Sequence, residues 1–245
     1  DRALAEDLSG GDVTTEALIP GGQQGTASVV AKSEGILAGI EVAKRVFHRV
    51  APELKVTILL EDGGRVKPGD IVAKVEGKVA SILKAERVAL NFLQSLSGIA
   101  SETNRYVKSV AGLPVRIMDT RKTIPGLRSL EKYAVKVGGG EDNRVNLGDG
   151  ILIKDNHLAA LRSQGLNIKE IIAKARQNAS QRLKVEVEVR TVAEALEAAE
   201  ARADVVMLDN MNLEDMREAV KSIQGRVLIE ASGGITLDNV RAVAE

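Results

Sequence analysis

Residues 184–209, KVEVEVRTVAEALEAAEARADVVMLD, contain a strand, a helix and a second strand in succession. The valine and glutamate alternation predicts a strand over 184–189, helical spacing predicts a helix over 192–201, and an apolar run predicts a strand over 205–209. Strands that alternate with helices at this spacing lie parallel in one sheet. This stretch therefore predicts an α/β fold for the second half of the chain.

The same rhythm continues on both sides of this stretch. Further strands are predicted at 115–119, 150–154 and 227–231, and further helices at 127–137, 167–180, 213–223 and 236–245. Polar residues follow nearly every strand. A barrel gathers such strand ends into one mouth, whereas an open sheet spreads them along a crevice. No GxGxxG follows a first strand, so the pattern favours an α/β barrel over a dinucleotide-binding sheet.

The first half has a different, mixed α+β pattern. Strands are predicted at 25–32 and 55–60, and helices at 40–50 and about 85–110. Between them, glycine and proline turns separate short alternating β runs. We expect two domains, an α+β domain over 1–111 and the barrel over 112–245.

Composition excludes several classes of protein. There is no cysteine, which excludes disulfides and thiolate chemistry, and 34 basic residues balance 34 acidic ones. With two tyrosines, two phenylalanines and no tryptophan, base-stacking platforms and a nucleic-acid partner are not expected. No apolar run approaches the roughly 18 residues of a membrane span, and no signal peptide opens the chain. We expect no membrane partner and a cytoplasmic location.

Cations are concentrated between Met118 and Leu158 although the net charge of the chain is zero. They follow short apolar strand-like runs and surround the glycines 138–140. The concentration predicts a pocket for a small ligand with several negative charges. The cations of this segment include Arg121, Lys122, Arg128, Lys132, Arg144, Lys154 and His157.

Three acidic residues are candidates for a metal or for sugar hydroxyls. The two-residue period places Glu186 and Glu188 on the strand face opposite the valines, and Asp209 ends the next strand. Neighbouring carboxylates without histidine suit Mg²⁺. The alternative is that the glutamates form internal salt bridges with Lys154 or Lys184.

The glycine turns and the histidines each have a functional and a structural interpretation. Ser232, Gly233 and Gly234 lie between a strand and the helix expected near Thr236, which suits a phosphate, although a tight turn explains them equally. The glycines 138–140 fit a helix C-cap. His48 is expected to be structural, and the role of His157 stays open.

The motifs of this chain resemble those of the quinolinate phosphoribosyltransferases. The resemblance runs in order over nearly the whole chain and is most specific in DTRKTIPGLR and KDNHL. It implies an α/β-sandwich N-terminal domain followed by an incomplete α/β barrel. The motifs that carry it are DLSGGDVTT, GILAGIEVAKRVF, AERVALNFLQSLSGIAS, DTRKTIPGLRSLEKYAVKVGGG, LIKDNHL, VEVEV, MLDN and EASGGI.

The resemblance also implies a reaction, in which quinolinate and phosphoribosyl pyrophosphate give nicotinate mononucleotide, pyrophosphate and CO₂ in NAD synthesis. The two carboxylates of quinolinate would be bound by Arg87, Arg121, Arg144 and Lys154. Arg87 would reach the site of a neighbouring subunit, so a homodimer is implied. Phosphoribosyl pyrophosphate and Mg²⁺ would be served by Lys122, Glu188 and Asp209, and the 5′-phosphate by Ser232, Gly233 and Gly234.

Two features depart from the family pattern. Asn143 stands where the family usually has a histidine beside the arginine that Arg144 matches, so one substrate-side hydrogen bond changes in kind. The chain also stops at Glu245, inside a predicted helix, where the family continues with a last barrel strand and a second phosphate-binding turn.

Two other functions stay open. Asn143 is compatible with the molybdenum-transport-associated homologue of the family, whose substrate is unknown. EDGGRVKPGDIVAKVEGKVASIL resembles the hairpins of biotinyl and lipoyl carrier domains. However, Lys74, Lys78 and Lys84 do not lie in the sequence context of a modifiable lysine.

Overall fold

The structure is a computed structural model that describes all 245 residues, and contacts divide it into two compact units. The first unit comprises Asp1–Lys108 and Arg116–Asn143, and the second comprises Ser109–Val115 and Arg144–Glu245. The predicted boundary after residue 111 differs from this division, because 116–143 group with the first unit. No helix is both long and apolar enough to cross a membrane.

The first unit combines short antiparallel sheets with five helices, the longest of which has 31 residues. One sheet has the order β1-β5-β3 and a two-stranded ribbon pairs β2 with β4. Helix α3 buries Ile40, Ala43, Val46 and Phe47 in the main core of this unit. The elements are α1 (Arg2–Leu8), α2 (Val13–Leu18), β1 (Gln24–Val30), β2 (Gly35–Ile36), α3 (Ile40–Val50), β3 (Lys55–Ile58), β4 (Arg65–Val66), β5 (Ile71–Lys78), α4 (Val79–Ser109) and α5 (Arg128–Val137).

Helices α4 and α5 share a smaller core. Leu96 and Ala100 of α4 pack with Ala134 of α5 and with Ile36 and Ala38. The glycines that follow α5 confirm the C-cap interpretation, because Gly138 is the C-cap and Gly139 has a φ of 94°. This packing holds α5, which carries the predicted cations Arg128 and Lys132, against α4.

The second unit is a parallel α/β layer. Its strands lie in the order β6-β7-β8-β9, and their buried residues pack with those of the helices in one core. Both the α/β class and the parallel sheet were predicted, whereas closure into a barrel stays a prediction. The elements are β6 (Ile151–Ile153), α6 (Asp155–Arg162), α7 (Ile168–Asn178), β7 (Val185–Val189), α8 (Val192–Glu200), β8 (Val205–Asp209), α9 (Leu213–Ile223), β9 (Leu228–Ser232) and α10 (Val240–Ala244).

The prediction of a strand over 115–119 was wrong. Only one isolated parallel bridge forms there, between Met118 and Glu141. The ladder stops because the next backbone N–H, that of Asn143, donates to Asp119 Oδ1 (2.8 Å). A side chain therefore takes the donor that a continuing ladder requires.

The last predicted helix, 236–245, is shorter than expected. Residues 236–239 form a turn, in which the Thr236 N–H donates to Asn239 Oδ1 (2.7 Å), and α10 begins only at Val240. The short helices α1, α2 and α6 were not predicted.

Candidate active site

In the first unit, the loop that carries Arg121 and Lys122 is held by one face of α5. Arg128 Nε donates to Thr123 Oγ1 (3.1 Å), and Glu131 Oε2 accepts from the Ile124 N–H (3.2 Å). Lys132 forms an ion pair with Asp119, just before the loop. Positions 128, 131 and 132 share a face because of the helical period. The helix thus fixes the loop on both sides of its two cations.

Arg121 and Lys122 differ in how far they are buried. Arg121 is partly buried, and its Nε has no hydrogen-bond partner within the chain. Lys122 is exposed, and its backbone N–H donates to Thr120 Oγ1 (3.0 Å). A partly buried guanidinium with a free donor suits a bound anion, whereas an exposed ammonium serves as a mobile point charge.

Asn143 and Arg87, the other predicted site residues of this unit, have contrasting environments. Asn143 is partly buried, and its backbone carbonyl accepts from Lys132 Nζ (3.2 Å). Arg87 lies on the exposed side of α4. An exposed arginine on a rigid helix is positioned to contact another molecule.

In the second unit, strand β7 carries the predicted carboxylates on one face. Val185, Val187 and Val189 are buried on the other face, which confirms the alternation. In the register of the sheet, Glu188 of β7 is paired with Met207 of β8, and Met207 is paired with Glu230 of β9. Asp209 at the end of β8 is paired with Ser232 at the end of β9. Polar side chains therefore collect at the carboxyl end of the sheet, where parallel α/β proteins bind ligands.

Glu186 and Glu230 form a carboxyl pair that was not predicted. Burial and the charge of Glu230 raise the pKa of Glu186 to about 7, against the opposing influence of Arg144. Burial also raises the pKa of Glu230, while the hydrogen bond from Glu186 and the charge of Arg144 lower it. The neighbouring charge of Glu230 and burial therefore both favour the protonated form of Glu186.

The guanidinium of Arg144, which influences this carboxyl pair, is anchored within the same unit. Arg144 Nη1 donates to the carbonyl of Gly150 (3.3 Å), the residue that precedes β6. No ion pair joins Glu186 or Glu188 to Lys154 or Lys184, so the predicted structural alternative was wrong in that form.

Glu188 and Asp209 lie close together, as predicted. Burial first and the charge of Asp209 second raise the pKa of Glu188, while Lys154 and Arg190 lower it. Arg190 Nε also lies 3.4 Å from Asp209 Oδ2. The chain contains no group of three or more histidine, cysteine, aspartate or glutamate side chains arranged as metal ligands. Two carboxylates still fit Mg²⁺, which usually takes one or two from the protein and completes its shell with water and phosphate.

The turn after β9 has the predicted glycines but no helix directly behind it. Gly233 and Gly234 have φ values of 84° and 67°, a conformation that favours glycine. A Cβ on Gly233 would lie 2.7 Å from Asn210 Nδ2, so Asn210 also requires a glycine here. Because α10 starts at Val240, any phosphate contact depends on the turn itself and on Ser232.

The two histidines have structural contacts. His157 Nδ1 accepts from the Lys154 N–H (3.0 Å) and so caps the start of α6. His48 Nε2 lies 3.1 Å from the Leu54 carbonyl, consistent with the predicted structural role. Lys154 itself is exposed at the N-terminus of α6.

Sequence reasoning missed three features of these groups: the influence of Glu230 on the pKa of Glu186, the contact of Asn210 with Gly233, and the burial of Lys132. Glu230 could have been found, because it lies two residues before Ser232 and so shares its strand face. The burial of Lys132 had no local signal, because it results from the ion pair with Asp119, thirteen residues earlier in the chain.

Two family models match the chain in order. The quinolinate phosphoribosyl transferase N-terminal domain matches residues 12–97, and the C-terminal domain of the same family matches residues 99–245. The hairpin region that resembles carrier domains therefore lies within the N-terminal domain of this family.

Curated proteins and a solved structure agree with these matches. A probable nicotinate-nucleotide pyrophosphorylase (carboxylating) of Synechocystis sp. is 42% identical over 246 residues, 98% of this chain and 81% of that protein. The mitochondrial quinolinate phosphoribosyltransferase (decarboxylating) 2a of Nicotiana tabacum is 41% identical over 259 residues, 99% of this chain and 73% of that protein. The crystal structure of NadC from Streptococcus pyogenes superposes with a TM-score of 0.92 at 45% identity, covering 98% of this chain and 84% of that one.

Proposed function

This chain belongs to the quinolinate phosphoribosyl transferase family, and we propose that it converts quinolinate and phosphoribosyl pyrophosphate to nicotinate mononucleotide, pyrophosphate and CO₂. The observation that carries the proposal is the match of both family domains, in order, over residues 12–97 and 99–245. The product places the enzyme in the synthesis of NAD.

The dicarboxylate substrate accounts for the arginines. Arg87, Arg121, Arg144 and Lys154 supply the cations for its two carboxylates, since guanidinium forks bind carboxylates with two parallel hydrogen bonds. The partly buried, unpartnered Nε of Arg121 supports this role. Asn143 offers a neutral amide where the family has a histidine, so this contact does not depend on imidazole protonation.

The phosphoribosyl donor is assigned to Lys122 and to the carboxyl end of the second unit's sheet. Glu188 and Asp209 would hold Mg²⁺ and the ribose hydroxyls, and Ser232 with Gly233 and Gly234 would contact the 5′-phosphate. When bound, Mg²⁺ neutralises charge on the pyrophosphate. The raised pKa of Glu188 and the nearby charge of Asp209 support a site that gains stability from a cation.

The chemistry follows from positioning and charge. The pyridine nitrogen forms a bond to C1 of the ribose as the C1–oxygen bond to pyrophosphate breaks, so positive charge develops on the sugar. The carboxylates of Glu188 and Asp209 would stabilise that charge. Loss of the 2-carboxylate as CO₂ leaves its electron pair on the ring carbon, which takes a proton.

We further propose that the functional unit is a homodimer with shared sites. Arg87 is exposed on α4, a 31-residue helix, and belongs to the carboxylate-binding set only by resemblance. Its exposure supports a role in the partner's site. A cytoplasmic location stays a prediction.

A pyrophosphate-release assay tests the function directly. Purified protein with phosphoribosyl pyrophosphate and Mg²⁺ is expected to release pyrophosphate with quinolinate and not with nicotinate, because only quinolinate provides both carboxylates. Release of CO₂ in equal amount checks the decarboxylation. Turnover with nicotinate at the same rate, or none with quinolinate, would contradict the proposal.

The metal assignment has its own test. Glu188→Gln and Asp209→Asn remove charge at nearly constant shape, so each should raise the Mg²⁺ concentration needed for half-maximal activity. Isothermal titration with Mg²⁺ and pyrophosphate provides a readout besides turnover. Unchanged Mg²⁺ dependence in both variants would leave these carboxylates without a metal role.

A further inference from the structure

Lys132 is one of only three polar or charged residues in the buried set, with 4% exposure. Its ammonium pairs with the carboxylate of Asp119, and both side chains are 5% exposed. A buried pair of this kind contributes little net stability, because desolvation of two charges offsets their attraction. Two apolar side chains would hold α5 in place as well, so the pair requires another explanation.

The pair joins three segments that are distant in the sequence. Asp119 Oδ1, which contacts Lys132, also accepts the Asn143 N–H (2.8 Å), and Lys132 Nζ donates to the Asn143 carbonyl (3.2 Å). Both backbone groups of Asn143 are therefore fixed by the same two side chains. Hydrogen bonds have direction, so the pair fixes the orientation of Asn143 and not only its distance from α5.

The same pair also fixes the start of the loop that carries Arg121. Asp119 lies two residues before Arg121, while Arg128 and Glu131 hold Thr123 and Ile124 on the other side. Lys122 depends less on this arrangement, because its exposed ammonium lies at the end of a flexible four-carbon stem.

We propose that the Lys132–Asp119 pair is a positioning device that aligns Asn143 with Arg121 for the pyridine dicarboxylate. The pair contacts no substrate and acts through the two residues that do. This inference rests on the proposed function for the identity of the substrate. It assigns substrate selectivity to a pair of residues outside the proposed binding set.

Lys132→Met tests the device, and Lys136→Met is its matched control. Lys136 lies one turn further along α5 and pairs with Asp142, but its side chain is 57% exposed. Lys132→Met should raise the KM for quinolinate by about tenfold or more and the KM for phosphoribosyl pyrophosphate by less than about threefold. Lys136→Met should change both by less than about twofold. An equal rise in both KM values for Lys132→Met would overturn the proposal.

The double variant Asp119→Leu/Lys132→Met separates positioning from stability. Removing both charges avoids an unpaired buried ion, so the variant should unfold near the wild-type temperature. Its KM for quinolinate should nevertheless stay raised, because the bonds to Asn143 are lost. A wild-type KM for quinolinate would show that the pair is only structural. If the apolar variants do not fold, Lys132→Arg provides the same comparison, because it keeps both charges. Its KM for quinolinate should rise several-fold, and an unchanged KM for quinolinate would contradict the proposal.

Hydrogen exchange at the Asn143 amide does not depend on substrate. The amide should exchange slowly in the wild type and in Lys136→Met, and fast in the double variant. Protection that survives in the double variant would overturn the positioning role. If the wild type shows the protection but no turnover of quinolinate, the proposed function fails while the device itself stands.

Discussion

Glu186 is a buried carboxyl group in the sheet of the second unit. It is 7% exposed, lies across β8 from Glu230, and has a pKa raised to about 7. A carboxyl group with a raised pKa in the folded state stabilises the fold fully at pH values below its unfolded pKa. That contribution is lost as the pH rises through the folded pKa.

Glu186→Gln should therefore change the pH dependence of stability. The wild type should lose stability as Glu186 ionises, whereas the amide of the variant cannot ionise. Between pH 5 and pH 8, the free energy of unfolding of the variant should therefore increase relative to that of the wild type by on the order of 2 kcal/mol. Urea unfolding of both proteins without Mg²⁺ measures the difference. Glu6→Gln on exposed α1 controls for the loss of one carboxyl group. A pH-independent difference for Glu186→Gln would contradict the raised pKa of Glu186.

Arg121 and Arg144 are expected to recognise carboxylates through the planar fork of the guanidinium. Lysine keeps the charge but cannot form two parallel hydrogen bonds. Arg121→Lys or Arg144→Lys should thus weaken quinolinate binding by about tenfold to a hundredfold while phosphoribosyl pyrophosphate binding changes little. Calorimetry with each ligand measures both affinities, and equal losses would count against the assignment.

At the scale of elements, α5 depends on a close approach to α4. A Cβ on Gly138 would lie 2.7 Å from Thr103 Cβ and would meet the Ala100 carbonyl oxygen. Gly140 is similarly confined, because a Cβ at this position would lie 2.7 Å from Val135 Cγ1. The glycine run therefore serves packing between two helices as well as the end of α5.

Gly138→Ala should destabilise the protein by about 1–3 kcal/mol, because backbone of α4 must shift to admit the methyl group. Gly98→Ala is the control within α4, since nothing lies within 4 Å of a Cβ there. That change should stabilise the protein by about 0.5–1 kcal/mol, as expected for an exposed helical glycine. Thermal unfolding compares the two variants. An unchanged melting temperature for Gly138→Ala would show that the backbone of α4 can shift without a loss of stability.

At the scale of the whole molecule, the shared-site dimer makes a prediction about mixtures. Arg87→Ala and Lys154→Ala should each be inactive alone, whereas a hybrid dimer keeps one intact site. A 1:1 mixture after subunit exchange should then recover about a quarter of the wild-type activity. Native mass spectrometry confirms the exchange.

The control mixture is Lys154→Ala with Glu188→Ala. Both changes lie in the second unit, so no hybrid dimer of these two contains an intact site. Rescue in this mixture, or none in the first once exchange is confirmed, would remove the shared-site proposal.

Most secondary structure could be predicted from the sequence because it depends on local periodicity. Helices α3 and α9 and strand β8 have their predicted bounds, and β7 shows the expected burial alternation. The family could also be recognised, because its motifs are contiguous stretches of sequence. The cations and carboxylates proposed for the site come from those same stretches.

Tertiary structure alone decided which polar groups meet. The strand expected at 115–119 fails because Asp119 captures the Asn143 N–H, and Lys132 is buried because it meets Asp119. The pKa of Glu186 is raised by its burial and by the charge of Glu230, two strands away. The physical reason is range: periodicity reports which side of an element is buried, but pairing of charges depends on distances between residues far apart in the chain.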